Sequence, residues 1–206
     1  MDSLRQAADK FLLLEKTEYR LILSAGKNKP LETVELNFID EDFYHILGLH
    51  HLDDIDIPKN KKLLLSKILC GDLNDKYLSQ SEYYDDDLLG YNIKNRIEHS
   101  RYLEEYLDSD DFTVSVYKLQ HDNKTLIRAD YLITCKRTTS DEEYYIFLRK
   151  RKETSSYGIV SCFPKNRLTY WGGKRYLMLK EKMDGESRIE LFRHPNFKDE
   201  IEKKDS

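Results

Sequence analysis

The sequence predicts an α+β fold in which N-terminal helices pack on a mainly antiparallel sheet formed largely by the C-terminal half. Up to Leu107 the apolar residues recur mostly at helical spacing; from Phe112 onward they alternate at the period of a strand. The order also matters: helices dominate first and strands later, without the βαβ alternation of a parallel sheet. The 206 residues include 15 Tyr, 8 Phe and 1 Trp against only 8 Gly and 4 Pro, which suits a packed core rather than a disordered or linker-rich chain. We expect a single domain over residues 1–197 and a flexible, charged tail over 198–206.

The elements follow in order. Asp2 or Ser3 caps a first helix whose Leu4, Ala7, Ala8, Phe11 and Leu12 form one apolar stripe. Strands are expected at Glu18–Ser24 and Thr33–Phe38, with a turn over Gly26–Pro30. Asp40 stands where it can cap a short helix over Glu41–Leu47, with Gly48 as its stop. Asp53–Pro58 reads as a polar loop, and residues 60–70 as a helix with Leu64, Leu65, Ile68 and Leu69 inward. Residues 74–91, with the run Asp85-Asp86-Asp87, show no clear period. Ile93, Ile97, Leu103 and Leu107 mark one helix over 92–107. Phe112, Val114 and Val116 then alternate with Thr113, Ser115 and Tyr117 as a half-buried strand. Further strands are expected at 126–135, 143–150, 157–163 and 175–182, with a weaker one at 187–193. Gly172-Gly173 signals a tight hairpin between the last long pair.

No apolar run approaches the length of a membrane span, and the first residues lack the apolar core of a secretory signal. A cytoplasmic protein without a membrane partner is expected. Cys70, Cys135 and Cys162 are widely spaced and read as free, buried thiols.

The net charge of −4 hides an asymmetry. Residues 136–182 hold 12 basic and 5 acidic side chains, a net of +7, interleaved with aromatic rings. Positive charge beside flat rings suits single-stranded nucleic acid. Lys150, Arg151, Lys152, Lys174 and Arg175 are the candidates for phosphates, and Tyr157 and Tyr170 for bases. The competing reading is a solvated hairpin rim with ordinary strand aromatics. The acidic middle, 71–111, suits either a basic partner or internal shielding of the basic strands.

His45 sits four residues after Glu41 on the short helix, so a carboxylate could orient an imidazole suited to proton transfer near neutral pH. The alternative is a packed structural histidine. His50, His51 and Asp53 are metal-capable, but their spacing is not that of HExxH, and the step from His45 to His50 is not one helical face. No metal site is assigned. His99 points away from its helix's apolar stripe and is expected in solvent; His121 and His194 receive no role. By strand period, Tyr157, Ile159, Ser161 and Phe163 share one face, as do Tyr145, Phe147 and Arg149. A hydroxyl, a guanidinium and a ring on neighbouring strands could hold a phosphate and stack a base. No GxSxG elbow surrounds Ser161, and no phosphate-cradling glycine motif occurs, so no cofactor is expected.

Phe43–Gly48 resembles the F-x-H-L-x-G signature of phage and mobile-element nucleases of the barnase/EndoU/colicin/RelE-like class. Ala129–Ile133, Tyr145–Arg149, Ser161–Phe163, Tyr170 and Tyr176–Lys180 are similar to later segments of that family, so the resemblance runs from residue 1 to about 182. It implies helices packed on a sheet whose face holds the active site, and a metal-independent endoribonuclease of phage or toxin type. In that chemistry the ribose 2′-OH attacks the adjacent phosphorus. His45 matches the signature histidine and is the implied general base or acid. Arg149 is the implied phosphate clamp, and Ser161 positions a phosphoryl oxygen. The implied partners are RNA, single-stranded or tRNA, and a cognate antitoxin or immunity protein. Two readings compete with this one: a catalytically inactive nuclease-fold accessory protein, and a metal-dependent nuclease using His50, His51 and Asp53.

Overall fold

Helix α1 (Ser3–Leu14) starts at Asp2, whose carboxylate accepts the Arg5 amide, and buries Leu4, Ala7, Ala8, Phe11 and Leu14. The computed structural model describes residues 2–27, 29–86, 92–118, 126–165 and 170–198. Strands β1 (Thr17–Ser24) and β2 (Leu31–Asn37) form an antiparallel hairpin. Helix α2 (Asp40–Leu47) follows. Its first turn is closed by Asp42, which takes the Ile39 amide at 3.1 Å, rather than by Asp40. A short 3₁₀ turn, Leu49–His51, leads to α3 (Lys61–Cys70) and α4 (Asp75–Leu78). Phe11 packs on Phe43 at 4.9 Å, so α1 backs α2.

The single helix expected over 92–107 is two, α5 (Ile93–Ser100) and α6 (Leu103–Asp108), parted at Arg101 and Tyr102. The break lets Tyr106 of α6 reach His99 of α5. His99, expected in solvent, is half-buried in consequence: its Nδ1 lies 2.7 Å from the Tyr106 hydroxyl and its ring stacks on Tyr144. Cys135 and Cys162 are buried free thiols, whereas Cys70 is exposed.

The remaining strands are β3 (Phe112–Tyr117), β4 (Tyr131–Lys136), β5 (Glu143–Lys150), β6 (Tyr157–Pro164), β7 (Gly172–Asp184) and β8 (Ser187–Arg193). Residues 126–130, expected to begin β4, stand outside its ladder. The sheet order is β1-β2-β6-β5-β4-β3-β7-β8, and β1 also pairs with β7. This corrects the expected sheet on one count. Its ladders are antiparallel apart from a single parallel contact, Leu36 with Tyr157, but it closes into a seven-stranded barrel with β8 added outside. β7 makes closure possible by its length: its first four residues pair with β3, and Tyr176 onward pairs with β1. Gly172-Gly173 is not a hairpin turn but the start of β7. A Cβ on Gly172 would lie 1.9 Å from the Val116 carbonyl oxygen, so only glycine lets the two backbones meet.

Two apolar clusters result. The larger joins the helices to one face of the strands, including Tyr144, Ile146, Leu148, Ile159 and Cys162. The smaller lies on the opposite face and contains Tyr117, Leu132, Tyr145, Phe147, Phe163 and Tyr170. Lys180 of β7 is fully buried and donates to the carbonyls of Leu107, at 3.0 Å, and of Ser109, closing the C-terminal end of α6. The acidic run at 85–87, His121, Arg167 and the tail at 198–206 lie wholly or partly outside the described residues. Among the described residues no helix is long and apolar enough to cross a membrane.

Candidate active site

Helix α2 ends at Gly48, which takes a left-handed φ of 71°. A Cβ there would also press on the Arg96 guanidinium, 2.9 Å from Nη1. This reversal explains what linear spacing hides. His45 lies before the turn and His50 after it, yet their ring centres stand 5.6 Å apart, and the His51 ring lies 3.9 Å from that of His50. Tyr44 closes one side, 5.9 Å from His45 and 6.0 Å from His50, and the Lys61 ammonium sits 3.2 Å above the Tyr44 ring.

Crowding among cations sets the protonation of this cluster. Burial, then the charges of Lys61 and Arg149, push the His45 pKa below its ordinary 6.5. His50 is open to solvent over part of its surface, but its ring is packed among its neighbours. Loss of water there, then the charges of His51, His45, Arg96 and Lys61, push it down to about 3. Burial and Arg96 push His51 down to about 4. At neutral pH the imidazoles are therefore uncharged. Glu41, expected to orient His45, makes no hydrogen bond to it among the described residues; its charge acts on Lys61 instead.

Arg96 is the residue that sequence reasoning missed. It is 1% exposed and lies on α5, where Ile93, Arg96, Ile97 and Ser100 share the buried face. It donates to the Ser161 hydroxyl at 3.4 Å, and its guanidinium lies 4.8 Å from the Phe163 ring centre. The available signal was an arginine at i+3 and i−1 on an apolar stripe, where a solvated charge does not belong.

Ser161 is itself buried, opposite Phe147 on β5. The register shifts just beyond, because Leu148 pairs with Ile159 and leaves Val160 extra. The bulge breaks the expected shared face: Ile159 joins the larger cluster with Tyr157 packed against it, while Phe163 belongs to the smaller one. Arg149 is exposed near the end of β5, near enough to depress His45. His45, Arg149 and Ser161 thus border one neighbourhood, joined through His50 and Arg96.

The expected nucleic-acid residues divide. Lys150, Lys152 and Lys174 are exposed. Arg151 is instead a structural clamp: its fork grips both Asp42 carboxylate oxygens, and it donates to the Asn37 side chain and carbonyl, each at 3.0 Å. It lies flat across Gly158, where any Cβ would stand 2.6 Å from its Cζ. Burial pushes the Asp42 carboxyl up while the Arg151 bonds pull against it. Arg175 is held by Glu32 at 3.0 and 3.1 Å, and Glu32 also accepts the Tyr131 hydroxyl. Tyr170 is buried against Phe147 and Tyr145, at 5.1 and 5.4 Å, and Tyr157 is half-buried, edge-on to Tyr131. Elsewhere in the basic segment Lys136 pairs with Asp111, Arg137 with Glu105, Lys165 with Glu143, and Lys182 with Glu104 and Asp108. Glu104, Glu105, Asp108 and Asp111, at the end of the acidic middle, thus shield the basic strands internally. Among the described residues no three His, Cys, Asp or Glu side chains gather as a metal-ligand set.

A family model described as phage-Barnase-EndoU-ColicinE5/D-RelE like nuclease4 matches residues 3–198. No curated protein and no solved structure matches. The matched span takes in α1 through β8 and every residue of the imidazole cluster, so the chain belongs to this family of phage-related nucleases.

Proposed function

We propose that the protein is an endoribonuclease that cuts RNA without a metal. The supporting observation is a cluster of uncharged imidazoles beside Arg149 in a chain of a nuclease family. His45, unprotonated, takes the proton of the ribose 2′-OH as that oxygen attacks phosphorus. Arg149 neutralises the charge gathering on the phosphoryl oxygens. The bond from phosphorus to the 5′-oxygen breaks, and His50, 5.6 Å from His45, returns a proton to the leaving oxygen. His50 requires a bound phosphate to raise its pKa into that role. Ser161 and Arg96 form the wall behind the cluster, with Ser161 orienting a phosphoryl oxygen. The products are a 2′,3′-cyclic phosphate and a 5′-hydroxyl. A cytoplasmic toxin of this kind calls for a cognate antitoxin or immunity protein.

Incubation of the pure protein with tRNA and single-stranded RNA in EDTA, followed by end mapping, tests the proposal. Cyclic phosphate ends formed in EDTA support it; activity that returns only with Mg²⁺ or Mn²⁺ overturns it. A second reading, an inactive nuclease-fold accessory protein, draws on the burial of Ser161 behind Arg96. It predicts RNA binding with no cleavage under any condition.

A further inference from the structure

A cleft of about 240 Å³ is lined by Tyr117, Ile127, Arg128, Ala129, Asp130 and Arg149, and Arg149 links it to the imidazole cluster. We propose that it is a subsite for the phosphate of a nucleotide neighbouring the one that is cut, with Arg128 as its dedicated ligand. The inference rests on the nuclease reading of the adjacent site and adds to it a contact for an extended RNA strand.

Arg149 borders both places: it lines the cleft, and its charge reaches His45. Arg128 is exposed within the residues that precede β4, and among the described residues neither arginine makes an ion pair. Two guanidinium groups in one cleft match a phosphate, whose oxygens accept their parallel N–H bonds. Asp130 does not close the cleft to an anion. Its carboxylate already accepts the Lys150 amide at 2.7 Å, and its single charge is outweighed by two arginines. The floor is rigid: the Asp130 amide donates to the Leu148 carbonyl at 2.8 Å, and the Tyr117 ring stands edge-on to Phe147 at 5.2 Å. The Tyr117 and Ile127 side chains give the sugar and base an apolar wall.

The test compares cleavage of a dinucleotide, which has only the scissile phosphate, with trinucleotides extended by one nucleotide at either end. In the unaltered protein one extension should raise kcat/KM by about 10–100-fold, the size of one charge-assisted contact. Arg128→Ala should abolish that gain, and Arg128→Lys should restore part of it. Binding of an uncleavable 2′-O-methyl oligonucleotide, followed against salt, supplies a second readout. Arg128→Ala should reduce the slope of log K against log salt by about 0.7. A gain that survives in Arg128→Ala, a loss equal on short and extended substrates, or an unchanged salt slope overturns the subsite. If the unaltered protein cuts no RNA the nuclease reading fails, and the salt slope still decides whether Arg128 meets a phosphate.

Discussion

His45 carries the heaviest chemical assignment, and its environment makes that assignment testable in two ways. If it is the base, His45→Ala should lower turnover by about 10²–10⁴-fold with the melting temperature nearly unchanged. A packed structural histidine gives the reverse: a lower melting temperature and an unaltered rate per folded molecule. The second test is pH. A base works only when unprotonated, and neighbouring cations oppose protonation of His45. The acidic limb of kcat/KM should therefore fall below pH 6.5, and Lys61→Ala should move it up towards that value, since one of the opposing charges is gone. Sequence reasoning reached His45 because a short motif surrounds it. It passed over Arg96, although that arginine stands on an apolar stripe, because its partner Ser161 lies 65 residues away in sequence. Arg149, Lys150, Arg151 and Lys152 are equivalent in composition, yet one lines a cleft, one grips Asp42 and two reach into water.

At the level of elements, α2 is the piece that must be held still, and Arg151 holds it. Arg151→Ala would leave Asp42 buried and unpaired, so a loss of about 3–5 kcal/mol is expected in urea unfolding. Arg151→Lys should recover little, because an ammonium cannot reproduce the bidentate fork. Gly48→Ala should cost about 1–3 kcal/mol through its left-handed backbone, with the contact to Arg96 added. What the sequence predicted well here is what repeats. The stripe of α1 and the alternation at the start of β3 come from local periods that packing respects, whereas Tyr117, expected on the outer face, is buried because the smaller cluster covers that face. The break between α5 and α6, the bulge at Val160 and the glycine pass at Gly172 were not legible, because each is set by a partner distant in sequence. His45 and His50 belong with these: only the turn at Gly48 brings them together.

Across the whole molecule, part of the charge that looks like a binding surface in sequence holds helices to strands: Arg137, Arg151, Lys180 and Lys182 all bond to α2 or to α6 and its end. Lys180 shows what such burial does. Loss of water lowers its pKa from 10.5 to about 8 in the folded state. Between pH 8 and 10.5 the unfolded chain binds more protons, so this group should raise stability as pH rises through that window, by about 2 kcal/mol between pH 8 and 9.5. Urea unfolding of the unaltered protein and of Lys180→Met at pH 7.5 and 9.5 measures it; an equal change in both removes Lys180 as the source. The closure of the barrel has a temporal consequence. Thr17 lies opposite Asp184, so the ladder that seals the ring joins an early segment to a late one. Topologies of this kind fold slowly, since distant segments must meet before they are rewarded. A nascent chain stalled before Gly172 already holds His45, Arg96 and Ser161 and can pair β1 with β2, but it lacks β7 for the other edge of β1, and limited proteolysis of such a stalled chain should cut within β1 and β2. The nuclease scaffold is complete only once β7 has left the ribosome.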